Sequence, residues 1–124
     1  MSRPLMILVV DDDLWQCESY RRILNTIQAK AHIAHDAQHA VRLLDAHRFD
    51  CVIVDIMLEG NTAFTLLHEM QSDQTLSRLP VIVCTNLADR IDSAAMAPYG
   101  VRRLLDKAQV RPEDIIAAVK AVTA

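Results

Sequence analysis

The chain is expected to fold as an α/β domain: a doubly wound five-stranded parallel sheet with helices on both faces. Three observations predict it. Short apolar runs alternate with segments whose apolar residues recur at helical spacing, the pattern of successive strand–helix–strand units. The runs Met6-Ile7-Leu8-Val9-Val10, Cys51-Val52-Ile53-Val54 and Val81-Ile82-Val83-Cys84 are continuously apolar, as strands covered on both faces are. Each run also stops on a polar residue, Asp11, Asp55 or Thr85. That gathers chemistry at one rim of the sheet, outside the carboxyl ends of its strands.

The elements follow in order. Residues 5–10 form the first strand. A helix runs from Asp13 to about Ile27, burying Cys17, Tyr20, Ile23 and Leu24, with Asp13 placed to cap it. The segment 31–34 is short and weakly apolar, suited to a sheet edge. Asp36 caps a helix that carries Ala37, Ala40, Val41 and Leu44 on one face. The central strand is 51–55, followed by a helix over 63–70. Pro80 precedes the strand 81–84, which runs into Thr85. A helix through Ile91, Ala94 and Ala95 is stopped near Pro98-Tyr99-Gly100, where glycine suits a left-handed cap. Residues 103–107 form the fifth strand. Pro112 starts the last helix, with Glu113 and Asp114 favourable to its dipole. With the polar second strand at an edge and the apolar strands inside, the expected order is the flavodoxin-like 2-1-3-4-5.

Composition narrows the function. At 124 residues, 52% of them hydrophobic, the chain is one domain, 1–124, with a single layered core. A net charge of −3 leaves no basic footprint, so nucleic acid is not an expected partner of this domain. No run approaches the ~18 apolar residues of a membrane span. Met1-Ser2-Arg3-Pro4 passes straight into a strand and does not read as a signal peptide. Three cysteines, with Cys51 and Cys84 in apolar runs, suggest reduced thiols and a cytoplasmic protein.

Five polar residues are then expected at one rim: Asp11, Asp12, Asp55, Thr85 and Lys107. Clustered carboxylates repel unless a hard cation or protons neutralise them. Two or three carboxylates suffice for Mg²⁺, and a carboxylate beside such an ion can attack phosphorus. A lysine and a threonine nearby supply donors to phosphoryl oxygens. Any one of these residues alone reads as a solvated loop or a surface charge; all five at strand ends do not. His32, His35 and His39 have spacings a transition metal could use, with His35 near a strand end and His39 on a helix, but a shared metal site is not the favoured reading. Cys84 reads as a small core residue and not a redox sensor. Trp15, just after the acidic loop, is placed to report on the site.

This ordered set resembles the receiver domain of two-component response regulators, of the single-domain chemotaxis-regulator kind, over essentially the whole chain. The family's acidic pair matches Asp11 and Asp12 in Leu8-Val9-Val10-Asp11-Asp12-Asp13, and its phospho-accepting aspartate matches Asp55 in Val54-Asp55-Ile56-Met57-Leu58. Its switch hydroxyl matches Thr85 and its lysine Lys107. The resemblance implies a phosphoprotein of phosphorelay signal transduction and not a dedicated enzyme. On that resemblance, Asp55 would accept a phosphoryl group from a sensor histidine kinase or histidine phosphotransfer protein. It implies further that Asp12, Asp55 and the Met57 carbonyl would ligate Mg²⁺, with Asp11 holding it directly or through water, and that an unnamed downstream protein would be reached through the face of the fourth helix, fifth strand and fifth helix.

The sequence departs from the family pattern in the relay. Leu104 stands for the aromatic switch residue, Asn86 for a small residue, Glu59 for a proline, Ala63 for a glycine and Ala108 for the proline after the lysine. The family's bond after the lysine is characteristically cis; with alanine in place of proline, trans is expected. Two rivals remain open at this point. One is a receiver-like interaction module that is not phosphorylated. The other is a phosphatase of the haloacid-dehalogenase type, which calls for a second aspartate where this chain has Met57.

Overall fold

The computed structural model describes residues 3–58 and 61–124, and for Asn61 and Thr62 the backbone alone. The main strands are β1 Met6–Val10, β2 Lys30–Ala34, β3 Cys51–Val54, β4 Val81–Thr85 and β5 Val101–Asp106. The helices are α1 Leu14–Asn25, α2 Ala37–Ala46, α3 Phe64–Gln71, α4 Ser93–Met96 and α5 Pro112–Thr123. The five strands are parallel and lie in the order β2-β1-β3-β4-β5. The expected order holds.

Alternation along the strands divides the core in two. Leu8, Val10, Val52, Val54, Val81 and Val83 face α2, α3 and α4, against Leu44, Leu66, Leu67, Met70 and Met96. Ile7, Val9, Cys51, Ile53, Ile82 and Cys84 face α1 and α5, against Tyr20, Leu24, Ile115 and Val119. The three inner strands are buried at nearly every residue because both faces are covered, which is why they read as unbroken apolar runs. β2, at the edge, has only Ala34 fully buried.

The caps also agree with the sequence. The Asp13 carboxylate accepts the Trp15 and Gln16 amides at 2.9 and 3.3 Å, and Asp36 accepts the His39 amide at 2.7 Å. Pro112 opens α5, with the Asp114 carboxylate accepting the Arg111 amide at 2.9 Å.

Other boundaries moved for local reasons. α1 ends at Asn25, short of Ile27, because the chain turns through Gln28 at φ 60° and the Ala29 amide returns to the Leu24 carbonyl. β5 starts at Val101, with a register shift against β4 between Val81 and Ile82 that makes Arg102 the extra residue. Lys107 lies just past its end.

The helix expected through Ile91 is reduced. Residues 88–90 and 97–99 are 3₁₀ turns, Ile91 is extended, and the α-helical part is four residues capped by Asp92. Pro98 has no N–H to give to the carbonyl of Ala94, so the α-ladder stops there. Gly100 then takes the left-handed conformation, φ 79°. A short hairpin pairs Met57 with Thr62 and Leu58 with Asn61, which the sequence did not suggest. Glu59, one of the family departures, lies outside the described residues.

Candidate functional site

Three strand ends supply the site, and the backbone ladder continues one step past each of them. The Asp11 amide donates to the Ala34 carbonyl at 3.0 Å, the Asp55 amide to Val10 at 3.1 Å and the Lys107 amide to Thr85 at 3.0 Å. The residue after each of these strands is therefore held by the sheet itself.

Lys107 closes the group. Its Nζ donates to Asp55 Oδ2 at 2.7 Å and to Asp11 Oδ2 at 2.8 Å, and all three side chains are nearly buried. The remaining carboxylate oxygens are also occupied: Asp11 Oδ1 accepts the Asp13 amide at 2.9 Å, and Asp55 Oδ1 the Met57 amide at 3.2 Å. Burial pushes the Asp11 carboxyl above its ordinary range, against the pull of its hydrogen bonds from Lys107 and the Asp13 amide. Burial works against the charge on Lys107, but the hydrogen bonds and charges of Asp11 and Asp55 outweigh it and raise its pKa. The result is one cation shared between two carboxylates in a site of low polarity, where such contacts are strong.

The other expected residues stand around this core. Asp12 is half-exposed and takes no part in the pairing with Lys107. Among the described residues, no three His, Cys, Asp or Glu side chains form a ready cluster around a metal position. Thr85 is buried at the next strand end, its Oγ1 accepting the Leu87 amide at 3.3 Å. The Met57 side chain is exposed beside Asp55, and Trp15 and Leu14 are exposed after the acidic loop. Leu104, opposite Val83, packs half-buried against the core, and the Lys107–Ala108 bond is trans.

Two residues that sequence reasoning did not assign here touch the site. Cys17 Sγ donates to the Asp11 carbonyl at 3.3 Å, and His35 Nδ1 lies 3.4 Å from the same oxygen. His35 directly follows β2, whose end is bonded to Asp11, and that adjacency was the available signal. The three histidines do not share a site. The His32 ring lies against His47 at 4.7 Å and Phe49 at 5.5 Å, while the His35 and His39 rings are 6.4 Å apart.

Comparison with known proteins places the chain in a family and matches its fold. The family model described as the response regulator receiver domain matches residues 7–120. The response regulator MprA of Mycolicibacterium vanbaalenii is 34% identical over 112 residues, 82% of this chain and 48% of that protein. The chain spans about half the length of the curated relatives it matches. Among solved structures, a sensor protein from Polaromonas sp. JS666 superposes with a TM-score of 0.87 at 18% identity, covering 98% of this chain and 97% of that one. A CheY-like receiver domain protein from Methanospirillum hungatei JF-1 superposes with a TM-score of 0.84 at 24% identity, covering 96% and 93%. At these identities the superpositions speak for the fold.

Proposed function

The chain belongs to the response regulator receiver domain family of two-component signalling, and from that premise we propose that Asp55 takes a phosphoryl group from a phosphohistidine of a sensor histidine kinase or histidine phosphotransfer protein. One oxygen of the Asp55 carboxylate attacks phosphorus, the P–N bond breaks, and the imidazole leaves with the electron pair, giving an aspartyl phosphate. The observation that carries this reading is the Lys107 ammonium, 2.7 Å from Asp55 and anchored on Asp11 at 2.8 Å. It sits where it can pair with the oxygens of an incoming phosphoryl group without leaving its anchor. Thr85 is the hydroxyl at the neighbouring strand end; it exchanges its contact with the Leu87 amide for one with the phosphoryl group.

The donor set suits Mg²⁺. The oxygens are hard, two carboxylates already share a positive charge, and Asp12 adds a third carboxylate from the next position. Asp11, Asp12, Asp55 and the Met57 carbonyl would hold the ion, which when bound neutralises the charge brought in by the phosphoryl group. Phosphorylation then signals through protein contacts, and the domain promotes this chemistry without being a dedicated enzyme.

A second reading, a receiver-like module that works without phosphorylation, is favoured by Leu104 packed as core and by Thr85 engaged with its own turn. Intact-mass measurement after treatment with acetyl phosphate and Mg²⁺ separates the two. One phosphoryl adduct, absent in Asp55→Asn, is expected. No adduct on the native chain favours the module, and an adduct that persists in Asp55→Asn overturns the assignment of Asp55.

A further inference from the structure

The outer edge of β2 is a second surface with a definite chemistry. β2 is an outer strand and pairs with β1. The Lys30 amide donates to the Leu5 carbonyl at 2.7 Å, and the Ala34 carbonyl accepts the Asp11 amide at 3.0 Å. Along a parallel strand, alternate residues turn both backbone groups toward the same neighbour. Lys30, His32 and Ala34 therefore face β1, while Ala31 and Ile33 present N–H and C=O outward. An open row of this kind is a template for another extended chain.

The charge beside that row has one sign. The end of α1 and the start of β2 line a cleft of about 500 Å³ with Arg21, Arg22, Lys30 and His32 and no carboxylate, in a chain whose net charge is −3. Arg21 has an exposed neighbour in Glu18 at 3.7 Å. Arg22 and Lys30 take part in no ion pair among the described residues. The cleft along the opposite edge, between β5 and α5, is of similar size at about 540 Å³, but its lining carries Asp106 and Asp114 beside Arg103. That edge is net acidic and does not suit an acidic segment.

We infer that the β2 edge docks an acidic, extended segment of a partner protein. The segment adds as a sixth strand, its backbone pairing with Ala31 and Ile33 and its carboxylates reaching Arg21, Arg22 and Lys30. Donors and acceptors alternate along the edge, which suits a peptide backbone; inorganic phosphate and a nucleic-acid backbone bring acceptors alone. A second copy of β2 would bring the same cations face to face. The surface is separate from the Asp55 site, so the inference stands apart from the phosphorylation reading.

The test uses the whole chain and a capped peptide of alternating glutamate and valine, followed by amide NMR and hydrogen exchange. Its controls are the same peptide with lysine for glutamate, inorganic phosphate, and an oligothymidylate. The glutamate peptide is expected to slow exchange at the Ala31 and Ile33 amides while the lysine peptide does not. The exposed double variant Arg21→Glu/Arg22→Glu is expected to lose about tenfold or more in affinity. Ala31→Pro, which removes one outward donor and leaves the bonds to β1, is expected to weaken binding with both arginines in place. Equal binding of the lysine peptide, binding by phosphate or oligothymidylate alone, or peptide binding without protection at Ala31 and Ile33 would overturn the inference.

Discussion

At the scale of single residues, Lys107 is the keystone, because it holds Asp11 and Asp55 together where neither has much water. Lys107→Met keeps the length of the side chain and removes its charge, leaving two buried carboxylates facing each other. A loss of about 3 kcal/mol in the absence of divalent cations is expected, measured by urea denaturation. A change below about 0.5 kcal/mol, the size usual for an ordinary surface substitution, would show the pair to be solvated instead. The thiols offer a pH test. Burial pushes Cys17 up to about 11 and Cys51 up to about 12, from an ordinary 9.0. Above pH 9 the unfolded chain gives up these protons while the folded chain keeps them, so stability falls as pH rises. The slope approaches about 1.4 kcal/mol per pH unit for each such thiol. Denaturation series at pH 8, 9.5 and 10.5 should show this decline, shallower in Cys51→Ala. At pH 8 the native protein should resist iodoacetamide at all three cysteines.

At the scale of elements, the helices differ in what starts them. α1 and α2 begin on aspartate caps that accept first-turn amides, while α3 begins after Ala63 with no side-chain cap. Asp36→Ala removes the carboxylate that accepts the His39 amide and is expected to cost about 1 kcal/mol, read from the shift in denaturation midpoint at unchanged m-value. A cost near zero would place the start of α2 under the control of packing by Ala40 and Leu44. α4 is the least regular helix. Its four residues lie between 3₁₀ turns because Asp92 caps late and Pro98 stops the ladder early. Met96 alone among those four is fully buried, so little packing anchors the segment between Thr85 and β5.

At the scale of the whole molecule, the proposed Mg²⁺ site makes stability depend on the ion. An ion that binds only the folded state stabilises it by RT ln(1 + [L]/Kd), about 2.7 kcal/mol at a hundredfold excess over Kd. For a domain of this size that is a rise in melting temperature on the order of 10 °C. Thermal melts with and without Mg²⁺ should show the rise and lose most of it in Asp12→Ala. Because Asp12 makes no bond to Lys107, the apo stability of that variant should be almost unchanged. An undiminished Mg²⁺ effect in Asp12→Ala would place the ion elsewhere. The Trp15 ring, 86% exposed beside the acidic loop, offers a second readout by fluorescence.

The sequence by itself determined the five main strands to within a few residues, the fold class and which polar residues end the apolar runs. A continuous apolar run must be covered on both faces, and the polar residue that ends it must come out at the edge; these are local facts about Val10-Asp11, Val54-Asp55 and Cys84-Thr85. The aspartate caps and the turn at Gly100 were legible for the same reason, since each depends on a few neighbouring residues. Tertiary structure alone decided which rim residues meet. Lys107 bridges carboxylates 96 and 52 residues away in the chain, and Asp12, adjacent to one of them, is left half-exposed. It also brought Cys17 and His35 to the Asp11 carbonyl, inserted Arg102 as an extra residue in β5, and cut α4 to four residues. Each of these follows from register, from packing between distant segments, or from competition among weak local preferences, and local periodicity carries none of that information.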